Sequence, residues 1–304
     1  MKSKYLTGII LVFALSWTSA AYAKLKIVAS TPDLGAVAKE IGKDKVKITH
    51  IARPTEDPHF VDARPSFMVK LNKADILIHG GLQLEIGWLP PLVMGARNNK
   101  IMPGQPGYLT ASTGIHVLQV PKIASRAMGD LHPYGNPHYM LDPLNAKIVA
   151  THICKRLCLL DKGNCTYFQD NLQGFLKRLD KKLIEWEKML EPYRGTKIVT
   201  YHRTFPYFAQ RFHMEVMGSL EPKPGIAPSP THINNLIPMM NSEGIKLIII
   251  EDFRERKTPE FVASKTGAKV VVLPIVVGGR KETKDYISFL DYNINQVVFA
   301  LKNE

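Results

Sequence analysis

Short apolar runs alternate with helical segments along most of the chain, and this alternation constrains the fold more than any other feature. In the first half, strand-like runs lie at residues 25–29, 46–51 and 74–78, and helical stretches at 34–41 and 66–72 separate them. Strands that alternate with helices predict parallel βαβ units, with helices covering the sheet.

A single long amphipathic segment interrupts this alternation at residues 167–190. Its apolar residues recur at steps of three and four, whereas the residues between them are mostly charged or polar. They are Leu172, Phe175, Leu176, Leu179, Leu183, Trp186 and Leu190. The spacing predicts a helix of some six turns, about 35 Å long at 1.5 Å per residue. Pro192 and Gly195 end it.

A second alternating series follows the long helix. Its strand-like runs are 197–201, 214–220, 247–250 and 270–273, and its helical stretches are 205–212, 233–242 and 285–301. The pattern predicts an α/β fold with two lobes joined by one long rigid helix. We place the N-terminal lobe at residues 24–164, the linking helix at 165–192 and the C-terminal lobe at 193–304. Residues 102–137 are rich in Gly, Pro and Ser, which predicts mostly a long surface loop.

The N-terminus has the pattern of a secretory signal peptide. Lys2 and Lys4 precede an apolar run at residues 6–17, and Ala21-Tyr22-Ala23 has the small–x–small pattern of a cleavage site. The alternative is a membrane anchor, but the run is too short to span a hydrocarbon core of about 30 Å. No cysteine near the cleavage site marks it for lipid attachment. We therefore expect cleavage after residue 23 and a soluble periplasmic protein.

The positive charge does not indicate a nucleic-acid-binding protein. The formal net charge is +13, and loss of the two leader lysines would lower it to +11. The basic residues are scattered, without a dense block or interleaved aromatic residues. We interpret the charge as a solvated basic surface or as an affinity for anionic membranes or partners.

The three cysteines lie within twelve residues of one another, which indicates a structural role. Cys158 and Cys165 flank the turn-like segment 161–164, so a bridge between them would close a small loop. Cys154 lies one helical turn before Cys158, a spacing that rarely meets disulfide geometry. We predict that Cys158 and Cys165 pair in an oxidising compartment and that Cys154 stays reduced and largely buried.

Three of the ten histidines stand out by position. His59 follows the predicted strand 46–51, His138 lies at the end of the loop 102–137, and His202 directly follows the strand 197–201. Ligands of open α/β sheets bind beyond the carboxyl ends of the strands, and neutral imidazole is a common metal ligand. Each histidine alone is more often an ordinary surface or loop residue, so position favours a metal site only modestly.

The chain resembles the periplasmic solute-binding proteins of zinc and manganese ABC transporters, often called cluster A-I binding proteins. The resemblance runs from about residue 25 to residue 301. It rests on residues 55–60, residues 74–78 with Gly81 and Glu85, residues 136–143, residues 201–208, the strand that ends at Glu251, and residues 266–270. It implies that His59, His138 and His202 bind a divalent metal ion in a cleft between two lobes bridged by the long helix. It also implies delivery of the ion to an inner-membrane permease, without catalysis.

One departure from the family pattern leaves the fourth metal ligand open. The family usually supplies an aspartate just after the strand that matches 269–273, and this chain has Leu-Pro-Ile-Val-Val-Gly-Gly at 273–279. The fourth position on the ion is therefore open to water, a bound anion or another side chain. Glu251 is our first candidate to replace the aspartate, and His132 is the second. Glu251 and His132 are equally consistent with outer-shell or surface positions.

The expected ion is zinc, because imidazole nitrogen suits zinc and manganese favours carboxylate oxygen. Copper and nickel also accept histidine. The main alternative is a zinc-dependent hydrolase with a three-histidine, one-water site, although an HExxH motif is absent. A binder of a chelated metal or an organic solute is the other alternative. We expect a monomer with no nucleic-acid partner.

Overall fold

The computed structural model describes residues 24–122, 129 and 132–302, so the expected signal peptide of residues 1–23 lies outside the described part. The strands of that part are β1 (Leu25–Ala29), β2 (Val46–His50), β3 (Ile76–His79), β4 (Tyr108–Thr110), β5 (Lys197–Thr200), β6 (Glu215–Ser219), β7 (Leu247–Glu251) and β8 (Lys269–Leu273). Its α-helices are α1 (Pro32–Gly42), α2 (Pro65–Asn72), α3 (Leu89–Ala96), α4 (Pro143–Leu160), α5 (Cys165–Leu190), α6 (Pro206–Arg211), α7 (Pro230–Ser242), α8 (Lys257–Thr266) and α9 (Tyr286–Lys302). Across these ranges, the helices lack the combination of length and apolar character that crossing a membrane requires.

The two lobes contain four-stranded sheets with the same topology. Their strand orders are β2-β1-β3-β4 and β6-β5-β7-β8, and every pairing is parallel. Strands β3 and β7 are buried along their whole length, as strands covered by helices on both faces should be. The predicted α/β fold with two lobes is confirmed. Because parallel strands end at one edge of a sheet, each lobe gathers its strand-terminal side chains at that edge.

Helix α5 joins the lobes and is 26 residues long, beginning two residues before the predicted amphipathic stretch. Its buried stripe comprises Phe168, Leu172, Phe175, Leu179, Leu183, Trp186 and Leu190. This stripe belongs to a single apolar cluster that also contains Ile27 of β1 and Ile249 of β7. The lobes therefore share one continuous core, with α5 running through it.

Polar contacts across the lobe boundary add to this core. Arg211 forms two bonds to the Asp142 carboxylate, at 2.8 and 2.9 Å. The Tyr286 hydroxyl donates to the Met140 carbonyl oxygen at 2.6 Å. Gly278, at φ +87°, lies against Pro54, and a Cβ atom there would be 3.1 Å from the proline ring. These contacts restrain the relative movement of the lobes.

The prediction that residues 102–137 form mostly a surface loop was wrong for the first part of that segment. Strand β4 pairs with β3 there, and Leu109, Ala111 and Ile115 are buried. A three-residue strand at a sheet edge has too few residues to show a period-two pattern, so the pairing was not visible in the sequence. Helices α3, α4 and α8 were likewise not predicted.

The cysteines are arranged as predicted. Cys158 at the end of α4 and Cys165 at the start of α5 form a disulfide, with Cα atoms 4.4 Å apart. Cys154 is a buried free thiol, and burial raises its pKa. The bridge therefore fixes the tight turn that sends the chain from the N-terminal lobe into the linking helix.

Candidate metal site

Three histidines from distant parts of the chain converge between the lobes. One ligand-capable atom each from His59, His138 and His202 lies within 4.8 Å of the other two. His59 comes from the loop after β2, His138 from the turn before α4, and His202 from the end of β5. The site therefore lies where the carboxyl edges of the two sheets face each other.

The ring of His59 is oriented by a carboxylate two residues earlier in the chain. Its Nδ1–H donates to Asp57 Oδ1 at 2.7 Å, and its backbone N–H donates to the same oxygen at 3.0 Å. Burial would raise the pKa of Asp57, but these hydrogen bonds and the charge of Arg254 hold it below its usual value. A carboxylate that accepts from Nδ1–H fixes the orientation of the ring and leaves Nε2 as the candidate ligand atom.

A second carboxylate orients His202 in the same way. The Nδ1–H of His202 donates to Glu221 Oε2 at 2.6 Å, and the same oxygen accepts from the Gly225 backbone N–H at 3.1 Å. The Thr200 hydroxyl donates to the His202 carbonyl oxygen at 2.7 Å. Both the ring and its backbone are therefore fixed, with Nε2 of His202 available to a ligand.

His138 presents a buried nitrogen that has no hydrogen-bond partner among the described residues. That atom is Nε2. The backbone N–H of His138 donates to Asn136 Oδ1 at 2.9 Å, and the Asn136 amide donates to the Arg203 carbonyl oxygen of the other lobe at 2.7 Å. Burial, followed by the charges of His59 and His202, holds the pKa of His138 well below its usual value. His138 is therefore neutral at pH 7, with a lone pair suited to a cation.

A fourth histidine, His132, contacts one member of this group but is not among the three whose ligand atoms all lie within 4.8 Å of one another. Nε2 of His132 lies 3.1 Å from Nε2 of His59, and the backbone of Leu82 hydrogen-bonds to the His132 ring. Burial and the neighbouring charges of His59 and His202 lower the pKa of His132 to about 4. At zinc–nitrogen distances of about 2.0–2.1 Å, two ligands of a tetrahedral ion lie about 3.3 Å apart. The spacing of these two nitrogens therefore fits adjacent positions on one ion.

Glu251 lies at the buried end of β7 but does not belong to the group of three histidines. Its Oε1 accepts from the Thr204 hydroxyl, and its Oε2 is 3.7 Å from Arg254 Nε. Burial raises the pKa of Glu251, and the charge of His202 partly offsets this rise. The segment at the family aspartate position is apolar, with Ile275 and Val276 buried. It supplies no oxygen donor there.

The groups that orient the candidate ligands were not predicted from the sequence. Asp57 and Glu221 each hold one histidine ring, and Arg254 lies 3.4 and 3.3 Å from their second oxygens. The spacing of Asp57 and His59 was visible in the sequence, because a side chain two residues before another in a turn can bond to it. The contacts of Glu221 and Arg254 depend on how neighbouring strand ends are arranged, so no local signal indicated them.

An open pocket of about 570 Å³ adjoins the histidines on one side. His59 and His132 form part of its wall, together with Phe60, Trp88 and Gln83. The His59 side of the group therefore borders an open, partly aromatic pocket, whereas His138 and His202 do not line it.

Comparison with known proteins identifies the family of this chain. A profile of the family described as "ZnuA: Zinc-uptake complex component A periplasmic" matches residues 27–300. This chain belongs to that family. The manganese ABC transporter substrate-binding lipoprotein PsaA of Streptococcus anginosus is 24% identical over 91% of this chain and 89% of its own length. The metal ABC transporter substrate-binding lipoprotein of Lactococcus lactis subsp. lactis is 25% identical over 91% of this chain and 88% of its own length.

Solved structures with the same fold include a crystal structure of ZnuA. It has a TM-score of 0.76 at 24% identity, and the match covers 91% of this chain and 99% of that one. The Mn-bound periplasmic metal binding protein from Candidatus Liberibacter asiaticus has a TM-score of 0.75 at 22% identity, and the match covers 91% of this chain and 100% of that one. Family membership makes the chain a metal ABC transporter substrate-binding protein and not an enzyme. The hydrolase alternative is therefore excluded.

Proposed function

We propose that this protein captures one zinc ion in the periplasm, as a soluble monomer released by cleavage after residue 23, and delivers it to an inner-membrane ABC transporter. The observation that carries the proposal is the convergence of His59, His138 and His202, whose ligand atoms lie within 4.8 Å of one another. Imidazole nitrogen is a common ligand of divalent cations, and burial holds the pKa of His138 well below its usual value, so this ring can accept a cation at pH 7 without first losing a proton.

The donor set supports zinc over manganese. Imidazole nitrogens suit zinc, whereas manganese favours carboxylate and water oxygens. The carboxylates of Asp57 and Glu221 are already bonded to the Nδ1 atoms of His59 and His202. The buried carboxylate of Glu251 is bonded to Thr204 and faces Arg254, and the segment 273–279 is apolar. We therefore assign zinc as the cargo, although the relatives include a manganese ABC transporter substrate-binding lipoprotein.

We propose His132 as the fourth ligand, with Glu251 as an outer group. The 3.1 Å separation between His132 and His59 supports this choice, and so does the low pKa of His132, which keeps the ring neutral. The earlier preference for Glu251 rested on its position at a strand end, which does not reveal the direction of the carboxylate.

Competition titration of the metal-free protein against a chromophoric chelator tests both assignments. We expect the protein to bind one zinc ion per chain and to bind zinc more tightly than manganese. Each of the variants His59→Ala, His138→Ala and His202→Ala should lose much of the zinc affinity. His132→Ala should weaken zinc binding more than Glu251→Gln does. Tighter binding of manganese would contradict the assignment of zinc. A severe loss in Glu251→Gln, with none in His132→Ala, would instead identify Glu251 as the fourth ligand.

A second candidate cargo is a zinc ion carried by a small organic chelator. The open pocket of about 570 Å³ beside His59 and His132 favours it, because a small ligand could occupy the pocket while its ion contacts the histidines. Titrations of zinc with and without citrate distinguish the two cargoes. Free-ion capture predicts that citrate competes with the protein, whereas chelate capture predicts tighter binding in its presence.

A further inference from the structure

One guanidinium group joins the two lobes behind the histidines. Arg254 follows β7 in the C-terminal lobe, and its Nη2 lies 3.4 Å from Oδ2 of Asp57 in the N-terminal lobe. Its Nη1 lies 3.3 Å from Oε1 of Glu221 in its own lobe. The side chain of Glu221 is 4% exposed and that of Arg254 is 19% exposed. These charges therefore interact in a poorly solvated region, where water screens them weakly.

Each of these carboxylates uses its other oxygen to hold a histidine. Asp57 Oδ1 accepts from His59 at 2.7 Å, and Glu221 Oε2 accepts from His202 at 2.6 Å. The contacts form one unbroken series from His59 through Asp57, Arg254 and Glu221 to His202. A change in the position of the guanidinium therefore alters the orientation of a ring in each lobe.

The plane of the guanidinium is itself restricted by aromatic rings. Its central carbon lies 5.2 Å from the centre of the Tyr201 ring and 5.3 Å from that of Phe253. A planar group with several N–H donors holds two carboxylates in fixed directions, whereas the ammonium of a lysine is compact, lies on a flexible stem and fixes these directions less well. The chemistry of the position therefore requires arginine for its shape as well as its charge.

We infer that Arg254 is an interlobe positioning residue for zinc binding, which couples the orientation of His59 in one lobe to that of His202 in the other. The inference rests on the proposed zinc site. Arg254 does not contact the ion, and it acts through Asp57 and Glu221. Two effects of removing it oppose each other, because loss of a positive charge favours a cation while loss of ring orientation disfavours it. Positioning predicts weaker binding, and charge alone predicts tighter binding.

Zinc titrations of Arg254→Met and Arg254→Lys separate these effects. We expect Arg254→Met to weaken zinc binding about 10–100-fold, the range usual for loss of an outer-shell partner. Arg254→Lys keeps the charge and should restore only part of the affinity. The matched control is Arg256→Met, because Arg256 is exposed and pairs with Glu260. Wild-type or tighter binding by Arg254→Met would overturn the inference.

A mutant cycle tests the coupling directly. Asp57→Asn and Glu221→Gln should affect zinc binding non-additively, by more than about threefold, when Arg254 is present. In an Arg254→Met background the same pair should be additive, because the group that joins them is gone. Additivity with Arg254 in place would overturn the inference. If Arg254→Met does not fold, the same cycle in the Arg254→Lys background replaces it, and coupling equal to wild type there would also overturn it.

The visible spectrum of the cobalt(II) form provides an independent measurement of ligand geometry. We expect Arg254→Met to change the intensity of its ligand-field bands and Arg256→Met to leave them unchanged. A wild-type spectrum in Arg254→Met would contradict a positioning role. If the wild-type protein binds no zinc, the proposed function fails. If it binds zinc and the Arg254 variants match it, only this inference fails.

Discussion

At the residue scale, burial and outer carboxylates position the three histidines that we propose as zinc ligands. His59 and His202 are oriented by hydrogen bonds from Nδ1 to Asp57 and Glu221. Among the described residues no carboxylate is bonded to the ring of His138, and burial instead keeps this ring neutral by lowering its pKa. The physical cause that makes a nitrogen available to a ligand therefore differs among the three histidines.

The low pKa of His138 predicts a pH dependence of the metal-free protein. In the unfolded chain this histidine titrates near 6.5, and in the folded protein it titrates at lower pH. Between these values the unfolded state binds more protons, so the free energy of unfolding falls as the pH falls through that window. The contribution approaches about 1.4 kcal/mol per pH unit.

Urea unfolding of the metal-free protein between pH 7.5 and 5.5 measures this effect. We expect His138→Gln to lose less stability on acidification than the wild-type protein does. The exposed residue His116 provides the control, and His116→Gln should follow the wild-type curve. Parallel curves for wild-type and His138→Gln would show that His138 is not held neutral by burial.

At the element scale, the junction between α4 and α5 is fixed by the Cys158–Cys165 disulfide. Its removal in the double variant Cys158→Ser, Cys165→Ser should lower the free energy of unfolding by about 2 kcal/mol, because the unfolded chain regains the entropy of a small closed loop. Zinc affinity should change little. Denaturant unfolding with a parallel zinc titration measures both quantities, and unchanged stability would contradict the expectation.

The buried thiol allows a separate measurement at the same junction. Cys154 lies inside the core cluster and its thiol pKa is raised. A maleimide reagent should therefore label it only after unfolding, with one thiol modified per chain. Labelling of the folded protein at the rate of an exposed cysteine would show that this end of α4 opens readily.

The linking helix carries one residue that weakens it without an evident structural need. Gly174 lies within α5 at negative φ, and a Cβ atom there would meet only Arg178 Nη1, at 3.7 Å. Gly174→Ala should raise the free energy of unfolding by about 0.5–1 kcal/mol, because alanine loses less backbone entropy in a helix. Denaturant unfolding tests this, and zinc affinity should stay at the wild-type value. A destabilised variant would indicate strain at this position.

At the scale of the whole molecule, the shared core and the interlobe contacts predict little closure on zinc binding. Helix α5 has no proline, and its single glycine lies near the start, so a sharp bend is unfavourable. Hydrogen exchange with and without zinc should show protection concentrated in the segments 102–137 and 223–230, with α5 changing little. A domain rotation of tens of degrees, detected by small-angle scattering, would contradict this prediction.

Much of the architecture was determined by the sequence alone, because the relevant patterns are local. Alternating strands and helices, the apolar stripe of α5 and the spacing of the cysteines repeat over a few residues, and they correctly predicted two α/β lobes, a long helix and the disulfide. Strand β4 was missed, because three residues at a sheet edge carry too little pattern. The three candidate histidines were selected by their position near strand ends and by family motifs.

Only the tertiary structure decided what surrounds those histidines. His132 and His59 are 73 residues apart, and nothing local predicts that their nitrogens lie 3.1 Å from each other. Glu251 occupies the expected strand end, yet the Thr204 hydroxyl and Arg254 engage its carboxylate. The direction of a side chain at a strand end depends on the opposite lobe and on neighbouring loops. The sequence therefore determined which strands and helices form, and the packing of the two lobes decided which nitrogens and carboxylates meet.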